Sequence, residues 1–181
     1  MPIPKNWLEE LAAEWLQLDG YLVESNVPIL SNRVGGRQEA DIIGARCTSD
    51  QLEIVHCETG QLAEGQRSVE SLRKKFSDEV CQEVQKRFVR MFCFPTQGNV
   101  TYRKVYVASY WSDLTMTGAN ELSIEVKTLP DFIRKDVIPT IQRWKENPVG
   151  YGRARGGGIT LPEGHWLLCL IDYLNGHKLL K

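Results

Sequence analysis

Four polar side chains in two neighbouring strand-like segments have the types and spacing of a metal-binding site. In residues 39–45, Glu39 and Asp41 share a face because side chains alternate with a period of two along a strand. His56 and Glu58 share a face of the next segment for the same reason. Converging carboxylates repel one another unless a cation holds them, and oxygen-rich sites suit Mg²⁺ or Mn²⁺, which can activate water against a phosphodiester. The spacing leaves open an alternative, a polar hairpin exposed to solvent.

The elements that must position these side chains are a helix and three strands. Residues 6–19 carry apolar side chains at spacings of three and four, which predicts an amphipathic helix, and Asn6 with Glu9 forms a capping-box pattern at its start. Strands are predicted over 21–29, 39–45 and 52–59. The last two strands are joined by a short turn, which favours an antiparallel hairpin with Asp41 beside Glu58.

The rest of the chain alternates between helical and extended patterns. The predicted elements are a helix over 61–92, strands over 102–111 and 122–128, a helix over 130–145, and a last helix that opens at 160–163 and ends near Gly176. Pro139 lies inside the helix predicted over 130–145 and should kink it. This order predicts one α/β domain over 1–181, in which a mixed sheet flanked by helices occupies about residues 6–128 and a C-terminal helical extension about residues 129–181.

Composition excludes several classes of protein. The chain has 181 residues, 42% of them hydrophobic and 25% charged, with a net charge of −1. That is not the composition of a disordered tail, a collagen-like repeat or a disulfide-rich miniprotein. No apolar run approaches the roughly 20 residues of a membrane-spanning helix, the first residues lack a secretory-signal pattern, and the five cysteines form no CxxC pair. We therefore expect a cytoplasmic protein that does not act at a membrane.

The opening helix resembles that of a nuclease superfamily. The run Glu9-Glu10-Leu11-Ala12-Ala13-Glu14-Trp15-Leu16, followed by Gly20-Tyr21 and Asn26, is similar to the start of PD-(D/E)XK nucleases, above all the Holliday-junction-resolvase-like branch that includes the YraN-type proteins. Residues 38–45 resemble the family's Gly-Glu-Ile-Asp-Leu-Ile-Ala, with Glu39 and Asp41 in register. The resemblance covers about the first third of the chain.

This resemblance implies a fold, a partner and a site. The fold is a restriction-endonuclease-like αβββαβ core with a mixed central sheet, and the partner is DNA. Asp41 and Glu58 would bind Mg²⁺ or Mn²⁺, and Glu9 would shape the site from the opening helix. The resemblance also implies a homodimer, because two-strand cutting by this fold usually needs two sites.

The chain departs from the family at the strand that should end in Glu-x-Lys-Thr. The corresponding stretch is Ile54-Val55-His56-Cys57-Glu58-Thr59. If Thr59 is kept in register, His56 replaces the metal-binding Glu and Glu58 replaces the Lys. If the register shifts by two, Glu58 becomes the metal ligand and Gly60 stands where the Lys is expected. The lysine is absent in both registers. Some members of the superfamily supply it from the following helix, where this chain has Arg67, Lys74 and Lys75.

A second stretch matches the family's motif literally. It is Ile124-Glu125-Val126-Lys127-Thr128, with Asp113 upstream at a permissible distance. However, only the first site follows an opening helix and lies in a hairpin. We predict that residues 122–128 form an edge strand, where a solvent-facing alternation of Glu and Lys discourages aggregation.

Two functions remain open. An active enzyme would be a Mg²⁺- or Mn²⁺-dependent DNA endonuclease in which Asp41 and Glu58 bind the metal and His56 is an extra ligand or base. An inactive relative would keep the nuclease fold and bind DNA or a protein partner, and the missing lysine favours this second interpretation. In both cases the predicted DNA contacts are Lys74 and Lys75, in the helix after the hairpin, and Arg153 and Arg155, in the glycine-rich loop 150–158.

Overall fold

The secondary structure is described for residues 6–31, 37–48, 50–95, 98–148 and 160–180 of a computed structural model. The helices are α1 (Trp7–Leu18), α2 (Gln66–Lys75), α3 (Asp78–Met91), α4 (Asp113–Glu121), α5 (Leu129–Phe132), α6 (Ile138–Glu146) and α7 (Trp166–Gly176). The strands are β1 (Leu22–Ser31), β2 (Arg37–Cys47), β3 (Gln51–Leu62), β4 (Asn99–Trp111) and β5 (Glu125–Thr128). A π-helical turn, Ile133–Val137, joins α5 to α6.

The five strands form one mixed sheet in the order β1-β2-β3-β4-β5. The first three strands are antiparallel neighbours, whereas β4 runs parallel to β3 and β5 parallel to β4. The predicted hairpin is therefore confirmed, and β5 lies at the sheet edge as expected. The parallel pairing of β3 and β4 requires the chain to cross over between them, which α2 and α3 do. The predicted fold class, a mixed central sheet flanked by helices with a C-terminal helical extension, is confirmed.

Each face of the sheet is covered by its own set of helices. Ile42, Cys57 and Val105 belong to a buried cluster with the apolar residues of α1, α5, α6 and α7. The opposite face packs against α2, α3 and α4, through two further clusters that include Phe88 and Leu72. His56 and Glu58 flank Cys57 in β3 and so project from this second face, because neighbouring side chains of a strand point to opposite sides.

The helix predicted over 61–92 is two helices. The apolar spacing continues across the break, since Leu72, Phe76 and Val80 are all buried. The backbone nevertheless leaves the helical path at Ser77, whose hydroxyl accepts from the amide of Val80 and caps α3. Short polar side chains favour such caps over helix interiors. The result is that Lys75 becomes the last residue of α2 and lies at the turn between the two helices.

The last helix begins at Trp166, so the predicted start at residues 160–163 is wrong. The chain first makes a turn in which the amide of His165 donates to the carbonyl of Pro162 at 2.9 Å. The carboxylate of Glu14 in α1 then accepts from the amides of Leu167 and Leu168, at 3.4 and 2.9 Å. A side chain distant in sequence therefore caps this helix.

Two further features of the helices differ from the sequence-based expectation. Helix α4 was not expected, and Ser112 caps it by accepting from the amide of Thr115. The kink expected at Pro139 takes the form of a π-helical turn just before α6, where the proline occupies the first turn. A proline there removes an amide that would otherwise pair in the preceding turn. Within the described residues, no helix is long and apolar enough to cross a membrane.

Candidate functional site

The candidate site lies where the pairing of β2 and β3 ends. Backbone pairing between these strands reaches Ile42 and Cys57. Beyond that point, Asp41 Oδ2 accepts from the amide of Thr59 at 3.0 Å, and Glu58 Oε1 accepts from the amide of Asp41 at 3.3 Å. Each carboxylate thus accepts a hydrogen bond from a backbone amide of the opposite strand. In a continuous antiparallel pair, a backbone carbonyl would accept that hydrogen bond. This exchange holds the two carboxylates side by side, as the sequence predicted.

A lysine from the following helix completes the site. The ammonium of Lys75, at the end of α2, donates to Glu58 Oε2 and lies 3.5 Å from Asp41 Oδ2. Leu72 and Phe76 hold this end of α2 because both are buried against the sheet. The structure therefore brings Lys75, which the sequence offered as a substitute for the missing strand lysine, into contact with both carboxylates.

His56 lies behind Glu58 and is fully buried. Its Nε2 lies 2.9 Å from Glu58 Oε1, and its Nδ1 lies 3.0 Å from the hydroxyl of Tyr102 in β4. Because an ionised carboxylate can only accept, Nε2 carries the proton toward Glu58, and in the neutral ring Nδ1 accepts from Tyr102. The ring of Phe76 covers the imidazole, with 4.7 Å between centroids. Both ring nitrogens are therefore engaged within the protein, and His56 contacts the site through Glu58.

The pKa values of the two carboxyl groups are shifted in opposite directions. Burial and the charge of Glu58 raise the pKa of Asp41 to about 6, against an ordinary value of 3.8. Burial also disfavours ionisation of Glu58, but the hydrogen bond from His56 and the charge of Lys75 outweigh it and hold the pKa of Glu58 below its ordinary value. One carboxylate is thus firmly ionised, whereas the other gains a proton near pH 6.

Lys75 remains charged at neutral pH. Burial alone would lower its pKa, but the charges of Glu58 and Asp41 raise it to about 12. About 30% of the Lys75 side chain and 17% of the Asp41 side chain are exposed, compared with 1% of Glu58. The site is therefore open to solvent on the side of Asp41 and Lys75 and closed on the side of Glu58.

The donor set fits a Mg²⁺ or Mn²⁺ ion with few protein ligands. Among the described residues, no three His, Cys, Asp or Glu side chains are arranged to hold a metal ion. Mg²⁺ is nevertheless commonly bound through one or two carboxylates, with water and substrate phosphate as its other ligands. Asp41 and Glu58 supply those carboxylates, and the ammonium of Lys75 marks the space between them as one that favours positive charge.

Glu9 lies on the other side of the sheet. It is buried in the first turn of α1, which packs on the face opposite to Glu58. Asn6 caps this helix as predicted, but Glu9 Oε1 accepts from the side-chain amide of Asn6, at 2.7 Å, where a capping box would use the backbone amide. A contribution of Glu9 to the site stays a prediction.

Of the other residues that the sequence analysis singled out, some lie in the described part of the chain and some do not. Glu39 lies in β2, two residues before Asp41. Lys74 is exposed on the last turn of α2 and precedes Lys75 in the sequence. Arg153 and Arg155 lie outside the described residues. DNA contacts by these basic side chains stay predictions.

The second motif match lies away from the site. Lys127 pairs with Glu125 at 2.7 Å and with Asp136 at 3.0 Å. Glu125 and Lys127 are aligned with Val105 and Val107, which belong to the α1 face of the sheet. This Glu–Lys pair therefore faces away from Asp41 and Glu58 and forms part of an ion-pair network at the sheet edge.

Two residues beside the carboxylates were not predicted as parts of the site: Tyr106, and Gly60, which the sequence comparison gave only as the position of the expected lysine. Gly60 has a φ of +142°, and a Cβ there would lie 2.9 Å from the hydroxyl of Tyr106. Tyr106 is aligned with Glu58 across the β3–β4 pair, and burial is the main reason that its pKa is raised to about 12. The available signal was a glycine inside a strand, which often marks a close approach of another group. A side chain at position 60 would therefore collide with the hydroxyl of Tyr106.

No model of a known protein family matches this chain, and no curated protein matches it. Among solved structures, the chain is similar to a protein of unknown function, AF1548, with a TM-score of 0.44 and 16% sequence identity. The alignment covers 81% of this chain and 70% of that chain.

Proposed function

We propose that this protein is a metal-dependent nuclease that acts on DNA, with Asp41, Glu58 and Lys75 as its reactive groups. The observation that carries the proposal is the contact of Lys75 with both carboxylates. The resemblance implies two acidic residues on adjacent strands with a lysine beside them. In this chain the strand position expected for the lysine is Gly60, and Lys75 of α2 supplies the ammonium instead. The order of the elements also supports the proposal.

Asp41 and Glu58 would hold the Mg²⁺ or Mn²⁺ ion. When bound, such an ion supplies Lewis acidity at a phosphate and lowers the pKa of a water molecule. Lys75 is protonated at neutral pH, so its ammonium would offset the charge of the phosphate and orient the attacking water, and would not accept a proton. His56 acts as a positioning residue because its hydrogen bond fixes one oxygen of Glu58 and leaves the other toward Lys75.

DNA binding without cleavage is the second candidate function. The observation that favours it is again the contact of Lys75 with Asp41 and Glu58. An ammonium that already neutralises Asp41 and Glu58 competes with any divalent cation for the space between them. In that case the acidic pair would be structural, and the basic residues of α2 would supply the affinity for DNA.

A cleavage assay on labelled single-stranded, duplex and branched DNA, with Mg²⁺, Mn²⁺ or EDTA, tests the proposal. We expect metal-dependent cutting that is abolished in Asp41→Ala and Glu58→Ala. In Lys75→Met the rate should fall at least about 100-fold, because the charge of the transition state loses one of the cations that offset it. Lys135→Met is the control, since it removes the same charge from an exposed position in the π-helical turn between α5 and α6.

The outcomes separate the two candidates. Cutting by Lys75→Met at the wild-type rate would refute the assignment of Lys75. Salt-sensitive DNA binding by a wild-type protein that cuts none of the substrates would support the second candidate. A protein that neither cuts nor binds DNA would refute both.

A further inference from the structure

We propose that an open cavity beside the candidate site binds one unpaired nucleotide of the DNA strand. This inference rests on the proposed action on DNA and adds a substrate class, DNA with a single-stranded segment at the site. The cavity has a volume of about 470 Å³ and lies between α2, the start of α3, β4 and the segment that joins α4 to β5. Its volume lies within the range of about 300–1,000 Å³ that is typical of small-ligand pockets.

The cavity adjoins the site on the same face of the sheet. Lys104 lines the cavity and is aligned with His56 across the β3–β4 pair. Phe76 also lines the cavity, and its ring packs on the imidazole of His56. Arg73, a third lining residue, lies three positions before Phe76 and therefore on the same side of α2. A strand whose phosphate lies at Lys75 would therefore have its next nucleotide within reach of the cavity.

Two cations of the cavity have no partner in the described part of the chain. Neither Arg73 nor Lys104 forms a hydrogen bond or ion pair there. By contrast, Lys75 and Arg103, close to them in sequence, are both held in ion pairs. Lysine and arginine side chains bind phosphate oxygens, and Arg matches their geometry with two parallel donors. The unpaired charges of Arg73 and Lys104 therefore suit a phosphate group.

The rest of the wall indicates that the ligand is more than a phosphate. Asp78 and Glu121 also line the cavity, and they would repel a simple anion. A nucleobase, however, carries amino groups that donate to carboxylates, as the amino group of cytosine does to Asp or Glu. Leu72 and Ile124 are buried and form an apolar floor against which the flat face of a base can lie. A nucleotide has a group that matches each part of the wall: its phosphate suits the cations, its amino groups suit the carboxylates, and its flat base suits the apolar floor.

The same wall selects an unpaired nucleotide. In a duplex, the base is stacked and its amino groups are largely engaged with the other strand. Unpaired bases expose these groups and their apolar faces, which is why proteins read them in single strands and flipped positions. We therefore expect the protein to prefer single-stranded DNA, or the single-stranded part of a branched substrate, over continuous duplex.

Binding of labelled oligonucleotides in EDTA tests this inference separately from cleavage. Fluorescence anisotropy is measured over a range of KCl concentrations for a single strand and for a blunt duplex of the same sequence. The variant is the double substitution Arg73→Ala and Lys104→Ala. The matched control is Arg134→Ala with Lys135→Ala, which removes the same two residue types from exposed positions in the π-helical turn between α5 and α6. Thermal unfolding of both variants verifies that they are folded.

We expect the cavity variant to bind the single strand about tenfold or more weakly than wild type and to show no preference for single strands. The dependence of log K on log salt should become shallower by about 0.7 for each phosphate that the variant no longer neutralises. The control should bind as wild type does. Unchanged single-strand affinity of the cavity variant, or an equal weakening in the control, would overturn the inference.

The two proposals can fail independently. If the wild-type protein cuts DNA and Asp41 is required, but the cavity variant keeps its affinity, only the nucleotide site is refuted. If the cavity variant loses single-strand affinity while the wild-type protein cuts nothing, the nucleotide site stands and the nuclease proposal fails.

Discussion

Replacement of Asp41 by Asn should stabilise the fold at neutral pH while it removes the proposed activity. Burial and the nearby charge of Glu58 raise the pKa of Asp41 to about 6 from an ordinary value of 3.8, so the ionised form is disfavoured in the folded protein. Asparagine carries no charge but keeps an oxygen that can accept from the amide of Thr59, as Asp41 Oδ2 does. The substitution therefore relieves a repulsion and keeps a hydrogen bond.

The size of the effect follows from the two pKa values. Each unit between the folded and unfolded states is worth about 1.36 kcal/mol, so ionised Asp41 lowers the free energy of unfolding by about 3 kcal/mol above pH 7. Between pH 3.8 and about 6 the folded protein keeps a proton that the unfolded chain has lost. The penalty therefore grows as pH rises through this window, and about half of it is present at pH 5.

The pKa of about 6 already includes the attraction of Lys75, so about 3 kcal/mol is the upper limit of the gain, reached only if the amide keeps every contact of the protonated carboxyl. We expect the free energy of unfolding to rise by about 1–3 kcal/mol at pH 7.5, which corresponds to an increase in Tm of about 2–12 °C for a chain of this size. Urea denaturation of wild type and Asp41→Asn at pH 7.5 and pH 5 measures it. Glu163→Gln, in the exposed turn before α7, is the charge control and should change little.

Glu58→Gln supplies the contrast of opposite sign. The hydrogen bond from His56 and the charge of Lys75 hold the pKa of Glu58 below its ordinary value despite burial, so its ionised form stabilises the folded state. We expect this variant to be less stable than wild type at pH 7.5. A raised pKa of Asp41 would be refuted if Asp41→Asn were less stable than wild type at pH 7.5, or if its gain in stability were the same at pH 5.

Two further predictions concern the same end of the sheet. Gly60→Ala should lower the free energy of unfolding by about 1–3 kcal/mol, because the residue has a positive φ and its new methyl group would meet the hydroxyl of Tyr106. In urea denaturation, the double variant Gly60→Ala with Tyr106→Phe should recover part of the lost free energy of unfolding. If it recovers none, the loss comes entirely from the strained backbone at position 60. Mg²⁺ should raise the Tm at pH 8 and do so progressively less below about pH 6, where Asp41 is protonated. An equal Mg²⁺ effect in Asp41→Asn would show that the ion binds elsewhere.

The pairing of Asp41 with Glu58 was predictable because strand geometry is local. Side chains alternate with a period of two, and a short turn between two strands favours an antiparallel hairpin. Two neighbouring strands and their sequence pattern were therefore enough to place both carboxylates. The cap of α1 at Asn6 was predictable for the same reason, since the donor and acceptor are within three residues.

Contacts between distant parts of the chain were not predictable in the same way. The position of Lys75 depends on where α2 ends and how it packs, and an uninterrupted apolar spacing concealed the break at Ser77. The start of α7 depends on Glu14, which is more than 150 residues away along the chain. The role of Tyr102 as partner of His56 likewise depends on the neighbouring parallel strand, to which the spacing within β3 gives no clue.

The central place of β3 has a consequence for the persistence of the site. This strand carries Glu58 and is bonded on one side to β2 and on the other to β4. Local opening events begin at termini and peripheral elements, whereas a strand bonded on both edges exchanges its amide hydrogens only when much of the molecule opens. If the C-terminal helices detached, β3 would therefore still hold the carboxylate of Glu58 in place. The backbone amides of the site should be among the last in the molecule to lose protection from hydrogen exchange.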